Sequence, residues 1–399
     1  MNSTALHIAF ISFEYPPDTA FGGIGTYTWQ MAHYLRQAGC GVTVFAASHT
    51  REVRNEITQE GIVVHRIRTA RRDEFRERIA ELVREQHQQT PFHLIESPEY
   101  SAEGMGIKKL LPQVPLLVKF HTPHFLIREL NHYYKKDQFK YRWKRRLGIG
   151  RYKKEADPEY QLTLQADAWV APCESLKQIV HERWQLPLEQ IQRIPNPFVP
   201  KETFLQIDPA TTTETITYLG RLEARKGVHL FAQIIPKVLQ QYPTARFRFI
   251  GRTNTGPSRK GTMLEYLKET LQPWLSHIEF IDHVEPDAIP GWLSKTDICV
   301  FPSLWENFPN VCLEAMSAAR GIVASREGGM KDMLEDINPS ALVDPLDAEA
   351  IATSIVQLLR NPAKRMEQGR KSREKIRSYY ATEVPQQLLE GYKKLAGKY

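Results

Sequence analysis

Phe301–Ala319 reads FPSLWENFPNVCLEAMSAA and continues the apolar run that starts at Ile298. Pro302, Ser303 and Pro309 interrupt any regular element after Phe301, and apolar residues return at helical spacing from Val311 to Ala319. The stretch is therefore one strand, one loop and one helix. The same step recurs on both sides of it, with strands expected at Thr215–Leu219, Phe247–Ile250, Ile278–Ile281 and Gly321–Ala324. Helices are expected between them at Val228–Gln240, Thr262–Leu271 and Ala348–Leu359. Upstream, strands at His7–Phe13, Val42–Ala46, Ile62–Ile67, His93–Glu96, Leu116–Phe120 and Ala168–Ala171 alternate with helices at Gly25–Gln37, Phe75–His87 and Ser175–Trp184. Such alternation is the pattern of α/β domains built on parallel sheets.

Ile194–Pro200 reads IPNPFVP, and its three prolines forbid a continuing helix or an interior strand. The boundary between two doubly wound domains is placed there. The expected division is 1–196 for the first domain, 197–213 for a linker, 214–375 for the second domain and 376–399 for a closing helix that packs back on the first. Ligands of such sheets bind at the carboxyl ends of the strands, so a site is expected in the cleft where the two sheets face.

Within the quoted stretch, Glu306 lies on the loop and Glu314 about one turn inside the helix. A helix N-terminus suits a phosphate, a carboxylate ahead of it can accept sugar hydroxyls, and one inside it can hold a ribose diol. An ordinary solvated glutamate on each side of a turn fits the spacing equally. A second candidate is Tyr218–Val228, YLGRLEARKGV, where Arg221 and Lys226 could neutralise a diphosphate at the end of a strand. Gly22-Gly23-Ile24-Gly25 after the first strand lets a ligand approach backbone amides, but it matches neither a dinucleotide fingerprint nor a Walker A loop. His121, in FHTPH, stands at the end of a buried-type strand, where structural histidines are also common.

Composition narrows the classes. The chain has 399 residues, 42% of them hydrophobic, with 53 Lys and Arg against 46 Asp and Glu. Its net charge of +7 is local: Arg128–Lys154 holds eleven basic residues and two acids, a charge of +9 that leaves −2 for the rest. Tyr133, Tyr134, Phe139, Tyr141 and Trp143 are interleaved with that charge, the composition of a segment docking on an anionic membrane surface. A solvated face also fits. Nucleic-acid binding is the rival class, unsupported by any recognition motif. No run approaches the ~20 apolar residues of a bilayer span. Cys40, Cys173, Cys299 and Cys312 lack zinc or disulfide spacing and read as reduced thiols of a cytoplasmic protein, at most peripheral to the inner face of a membrane. There is no D-x-D, H-E-x-x-H or G-x-S-x-G, so no metal or other cofactor is expected.

Taken together, these motifs resemble glycosyltransferase family 4, the retaining GT-B enzymes. PSLWENFPNVCLEAM is similar to the family's P-S-x-x-E-G-F-P-N-V-x-L-E-A-M, and YLGRLEARKG to its G-R-L-x-x-x-K-G. GGI, FHT and REGGM at Arg326–Met330 fit as well. Asn307 stands where the family has Gly, and Lys331-Asp332 where Pro-Glu is common. The resemblance implies two Rossmann-like domains facing across a cleft. It implies that Glu306 holds donor-sugar hydroxyls and Glu314 the ribose. Arg221 and Lys226 would grip the diphosphate, with Asn307, Phe308, Asn310, Val311, Gly22 and Gly23 around them and His121 near the reaction centre. The implied reaction transfers a hexose with retention, UDP-glucose being the leading donor ahead of other UDP-hexoses and GDP-mannose. A growing polysaccharide or lipid-linked oligosaccharide is the expected acceptor.

Overall fold

The computed structural model describes residues 6–19, 22–131, 152–254, 256 and 261–398. Two compact units emerge, each held by its own sheet. The first comprises the described residues of Met1–Ile127, Arg151–Phe198 and Tyr380–Tyr399, and the second those of Arg128–Gly150 and Val199–Tyr379. Tyr133, Tyr134, Phe139, Tyr141 and Trp143, on which the membrane expectation rests, lie outside the described residues.

The first unit's sheet has the order β3-β4-β2-β1-β5-β6-β7-β8. Its strands are β1 (His7–Ile11), β2 (Gly41–Ser48), β3 (Val53–Ile57), β4 (Val63–Arg68), β5 (Leu94–Pro98), β6 (Leu116–Lys119), β7 (Ala168–Ala171) and β8 (Ile191–Arg193). All neighbours are parallel except β3, which runs antiparallel to β4 with an irregularity between Val53 and Glu56. The sequence reading missed β3 because VRNEI has neither an apolar run nor alternation. It also missed β8, a three-residue edge strand. The parallel strands are covered on both faces, as continuous apolar runs such as FAAS in β2 require.

In the second unit the order is β11-β10-β9-β12-β13-β14, all parallel. The strands are β9 (Thr215–Leu219), β10 (Arg246–Ile250), β11 (Ile278–Ile281), β12 (Ile298–Phe301), β13 (Gly321–Ser325) and β14 (Leu342–Val343). Helix Val228–Gln241 packs Phe231, Ile235 and Val238 onto Tyr218, Phe247 and Phe249 of the sheet. The helix after β12 spans Asn310–Ser317 and stops short of Ala319, which takes a left-handed conformation (φ 53°). In the first unit, helix Gly23–Gln37 starts two residues earlier than expected, with both glycines of Gly22-Gly23 at its entry.

Strand order reverses between β1 and β5 in one sheet and between β9 and β12 in the other. Ligand sites of open α/β sheets form outside the carboxyl ends of strands at such reversals. The Glu306 and Arg221 loops leave the sheet there. Helix Val384–Ala396 packs within the first unit against β5 and helix Gly23–Gln37. All four cysteines are buried and unbridged, and no helix among the described residues is long and apolar enough to cross a membrane.

Candidate functional site

Two loops of the second unit, those after β9 and β12, are locked together by backbone. The Leu304 N–H donates to the Arg225 carbonyl at 3.0 Å. Gly227 has φ +69°, and a β-carbon there would stand 1.8 Å from the Pro302 carbonyl oxygen. Only glycine lets these loops meet. A third loop joins from the other side, where the Gly329 N–H donates to the Glu306 carbonyl at 2.8 Å. A β-carbon on Gly328 would lie 2.0 Å from that same oxygen. The three motifs singled out in this half of the sequence therefore converge on Glu306.

Their side chains form a chain of alternating charge. Arg221 Nη2 lies 3.3 Å from Glu223 Oε1. Arg225 bridges that oxygen at 2.8 Å and Glu306 Oε1 at 3.0 Å. Lys226 Nζ closes on Glu306 Oε1 at 2.7 Å, and Asn254 donates to the far oxygen of Glu223 at 2.9 Å. Three cations against two anions leave one positive charge in excess. The Arg221 side chain is 59% exposed, whereas those of Arg225 and Lys226 are 12% and 17% exposed. Arg221 is thus the member that offers its guanidinium outward.

Burial opposes ionisation of Glu306, but Lys226 and Arg225 outweigh it and hold the carboxyl below its usual range. Both cations sit on Oε1. Oε2 carries no hydrogen bond among the described residues, so it is available to a hydroxyl donor. Glu314 is the opposite case: burial pushes its carboxyl up to about 7, and its sheltered Oε2 has no hydrogen-bond partner. A half-buried carboxylate with an unpaired oxygen is costly unless something binds it. Asn310 and Val311 open the helix that carries Glu314, behind Pro309, whose side chain caps nothing. Asn307 and Phe308 are buried in the loop between.

Arg225, Glu223 and Asn254 were absent from the sequence reading. Arg225 was legible as a third basic residue in RLEARKG, but its partner 81 positions away was not. Among the described residues, no group of three or more His, Cys, Asp or Glu gathers as a metal site would require.

Gly22, Gly23 and His121 belong to the first unit. A β-carbon on Gly22 would stand 2.2 Å from a Glu14 carboxylate oxygen, while one on Gly23 would meet nothing within 4 Å. Space beside Gly23 is what a backbone-approaching ligand needs. His121 is buried, its amide donates to Glu99 Oε2 at 2.8 Å, and its ring meets Tyr27 edge-on at 5.4 Å. Burial, with Lys119 adding, pushes the imidazole down to about 3, so it stays neutral. Lys119 Nζ donates to the carbonyls of Ile194 and Pro195 at 2.7 and 3.3 Å. Behind Tyr27, the Tyr392 hydroxyl donates to Glu96 at 2.5 Å.

The family described as Glycosyltransferase Family 4 matches residues 21–202, and that described as Glycosyl transferases group 1 matches residues 213–361. The chain belongs to the family 4 glycosyltransferases. Spore coat protein SA of Bacillus subtilis (strain 168) is 28% identical over 182 residues, 45% of this chain and 48% of that protein. The chain thus spans about half the length of the curated relatives it matches. Its fold is that of GT-B enzymes. Sucrose-phosphate synthase from Thermosynechococcus elongatus superposes with a TM-score of 0.71 at 20% identity, covering 99% of this chain and 100% of the other. Anabaena HepE in complex with UDP-glucose does so with a TM-score of 0.68 at 15% identity, over 98% and 100%. In this family 4 chain, Lys331 and Asp332 fall inside the short helix Gly329–Leu334 and leave the Gly328–Glu306 approach intact.

Proposed function

We propose that this chain transfers a hexose, with retention, from a nucleoside-diphosphate sugar to a saccharide or lipid-linked oligosaccharide during polysaccharide synthesis. UDP-glucose is the leading donor. The observation that carries the reading is the run Arg221–Glu223–Arg225–Glu306–Lys226 at the β9/β12 reversal, with the unpaired Oε2 of Glu314 on the helix that follows the same loop. HepE, a structural neighbour, was crystallised with UDP-glucose, which supports this choice of donor.

The roles follow from the charges. Arg221 and Lys226 hold the diphosphate and stabilise the charge that grows on it as the glycosidic C1–O bond breaks. Each well-placed donor of this kind supplies about 3–4 kcal/mol. No metal takes part, because the basic side chains and the helix end at Asn310 perform the neutralisation. Glu306 Oε2 accepts hydroxyls of the transferred sugar, and Glu314 accepts the ribose hydroxyls, which satisfies its unpaired oxygen. His121 takes the role near the reaction centre that the family resemblance gives it, and its neutral ring adds no positive charge there. The donor phosphate oxygen takes the acceptor proton on the same face that the leaving group vacates. The cationic segment 128–154 docks on an anionic membrane that carries the acceptor, which co-sedimentation with anionic vesicles tests.

The decisive measurement is UDP release from UDP-glucose without acceptor, with thermal stabilisation by a panel of nucleotide sugars as its binding counterpart. Slow release is expected. Arg221→Ala should lower kcat at saturating donor about 10²–10³-fold. A change in the donor's KM alone would remove Arg221 from transition-state stabilisation.

A further inference from the structure

His124 opens the helix that follows His121, at the carboxyl end of β6. Its ring is fixed by a carboxylate from another part of the chain. Glu159 Oε1 lies 2.5 Å from His124 Nδ1, and Glu159 Oε2 accepts the His124 backbone N–H at 2.8 Å. Oε1 also accepts the Ser101 N–H at 2.8 Å. Glu159 itself is 1% exposed and sits in the first turn of helix Pro158–Gln165. Tyr100 stacks on the imidazole at 4.2 Å and 24°. A buried carboxylate, a backbone clamp and an aromatic face together leave the ring one orientation.

That orientation sets the tautomer. With Nδ1–H donating to Glu159, Nε2 is a hydrogen-bond acceptor. It has no partner among the described residues, and the His124 side chain is 52% exposed. A carboxylate that orients an imidazole while its other nitrogen is kept open is how proteins prepare a histidine to receive a hydroxyl proton donor. Neighbouring charge selects the ligand. Glu14 and Glu103 hold the guanidinium of Arg72, which also lies over the Tyr100 ring at 4.9 Å, so that cation is already neutralised. Arg76 donates to the Ser101 carbonyl at 3.3 Å. Glu99 adds a further buried carboxyl, whose ionisation is opposed by burial and by Glu159. The Glu159 carboxylate against the ring opposes a second negative charge, whereas a hydroxyl donor suits the open Nε2.

We propose that His124, oriented by Glu159 and backed by Tyr100, is a binding subsite for an uncharged sugar ring of the acceptor, one of whose hydroxyls donates to Nε2. This rests on the glycosyltransferase reading and adds the chemical class of the acceptor at this subsite.

The test uses the full chain with UDP present, maltotriose, cellotriose and laminaritriose as neutral probes, and glucose 6-phosphate as the anionic one. Saturation-transfer NMR reads binding, and UDP release from UDP-glucose reads turnover. At least one neutral trisaccharide should bind and stimulate release. His124→Ala should weaken that binding tenfold or more, leave acceptor-free release within twofold of the parent and leave Tm unchanged. His124→Gln, whose carboxamide oxygen reaches toward the Nε2 position, should recover part of the binding. Binding of none of the neutral probes, preference for glucose 6-phosphate, or equal affinity in a folded His124→Ala protein overturns the proposal. Failure of the parent protein to release nucleotide from any sugar donor sinks the donor reading instead, and the NMR result still decides the subsite.

Discussion

Glu306 and Glu314, seven residues apart in the interval between them, experience opposite fields. Arg225 and Lys226 keep the first ionised, whereas the second has only the weak influence of Lys201 against burial. The consequence for Glu314 is a dependence of stability on pH. Its folded value of about 7 exceeds the ordinary 4.5, so between those values the folded chain binds more protons than the unfolded one. Stability therefore falls as pH rises through that window. Glu314→Gln should flatten the fall in Tm between pH 5 and 7.5 and raise stability at pH 8 by about 1–3 kcal/mol. The same variant should lose most of the stabilisation that UDP gives the parent. Melting curves across pH, with and without UDP, check both, and an equally steep fall in the variant would show that Glu314 titrates normally.

Loops carry the next scale of argument. The β9 and β12 loops touch through backbone at Gly227, where both the positive φ and the 1.8 Å approach exclude a side chain. Gly227→Ala is expected to cost more than about 2 kcal/mol and to reduce activity with it, because the Lys226–Glu306 contact depends on that approach. Gly23→Ala is the contrasting case. Its β-carbon meets nothing, so Tm should hold while the donor's KM rises. Circular-dichroism melts and donor titrations separate the two, and a Gly23→Ala protein with a depressed Tm would mean that the glycine serves the helix entry rather than a ligand.

The first unit is assembled from three separated segments, the last being Tyr380–Tyr399. Its C-terminal helix is tied in by a bond from Tyr392 to the buried Glu96, with the Tyr27 hydroxyl 3.5 Å from that of Tyr392. Tyr392→Phe leaves that carboxyl short of a donor in an apolar site, which costs about 1–3 kcal/mol. Calorimetry should show the loss, and an unchanged transition would mean that the bond contributes nothing in solution.

The amino-acid sequence by itself determined the alternation of strand and helix, the break at IPNPFVP, and the position of Glu306, Glu314, Arg221 and Lys226 on loops or helix starts. Those are local matters of periodicity, proline and glycine, readable within windows of ten to twenty residues. Tertiary structure alone decided which oxygen of Glu306 is occupied, that Arg225 and not only Lys226 reaches it, and that Glu159 aims His124. Such pairings join residues 35 to 81 positions apart and depend on strand order, which no local pattern specifies. Short edge strands such as β3 and β8 escaped for the same reason, since their pairing with neighbours, more than their own composition, makes them strands.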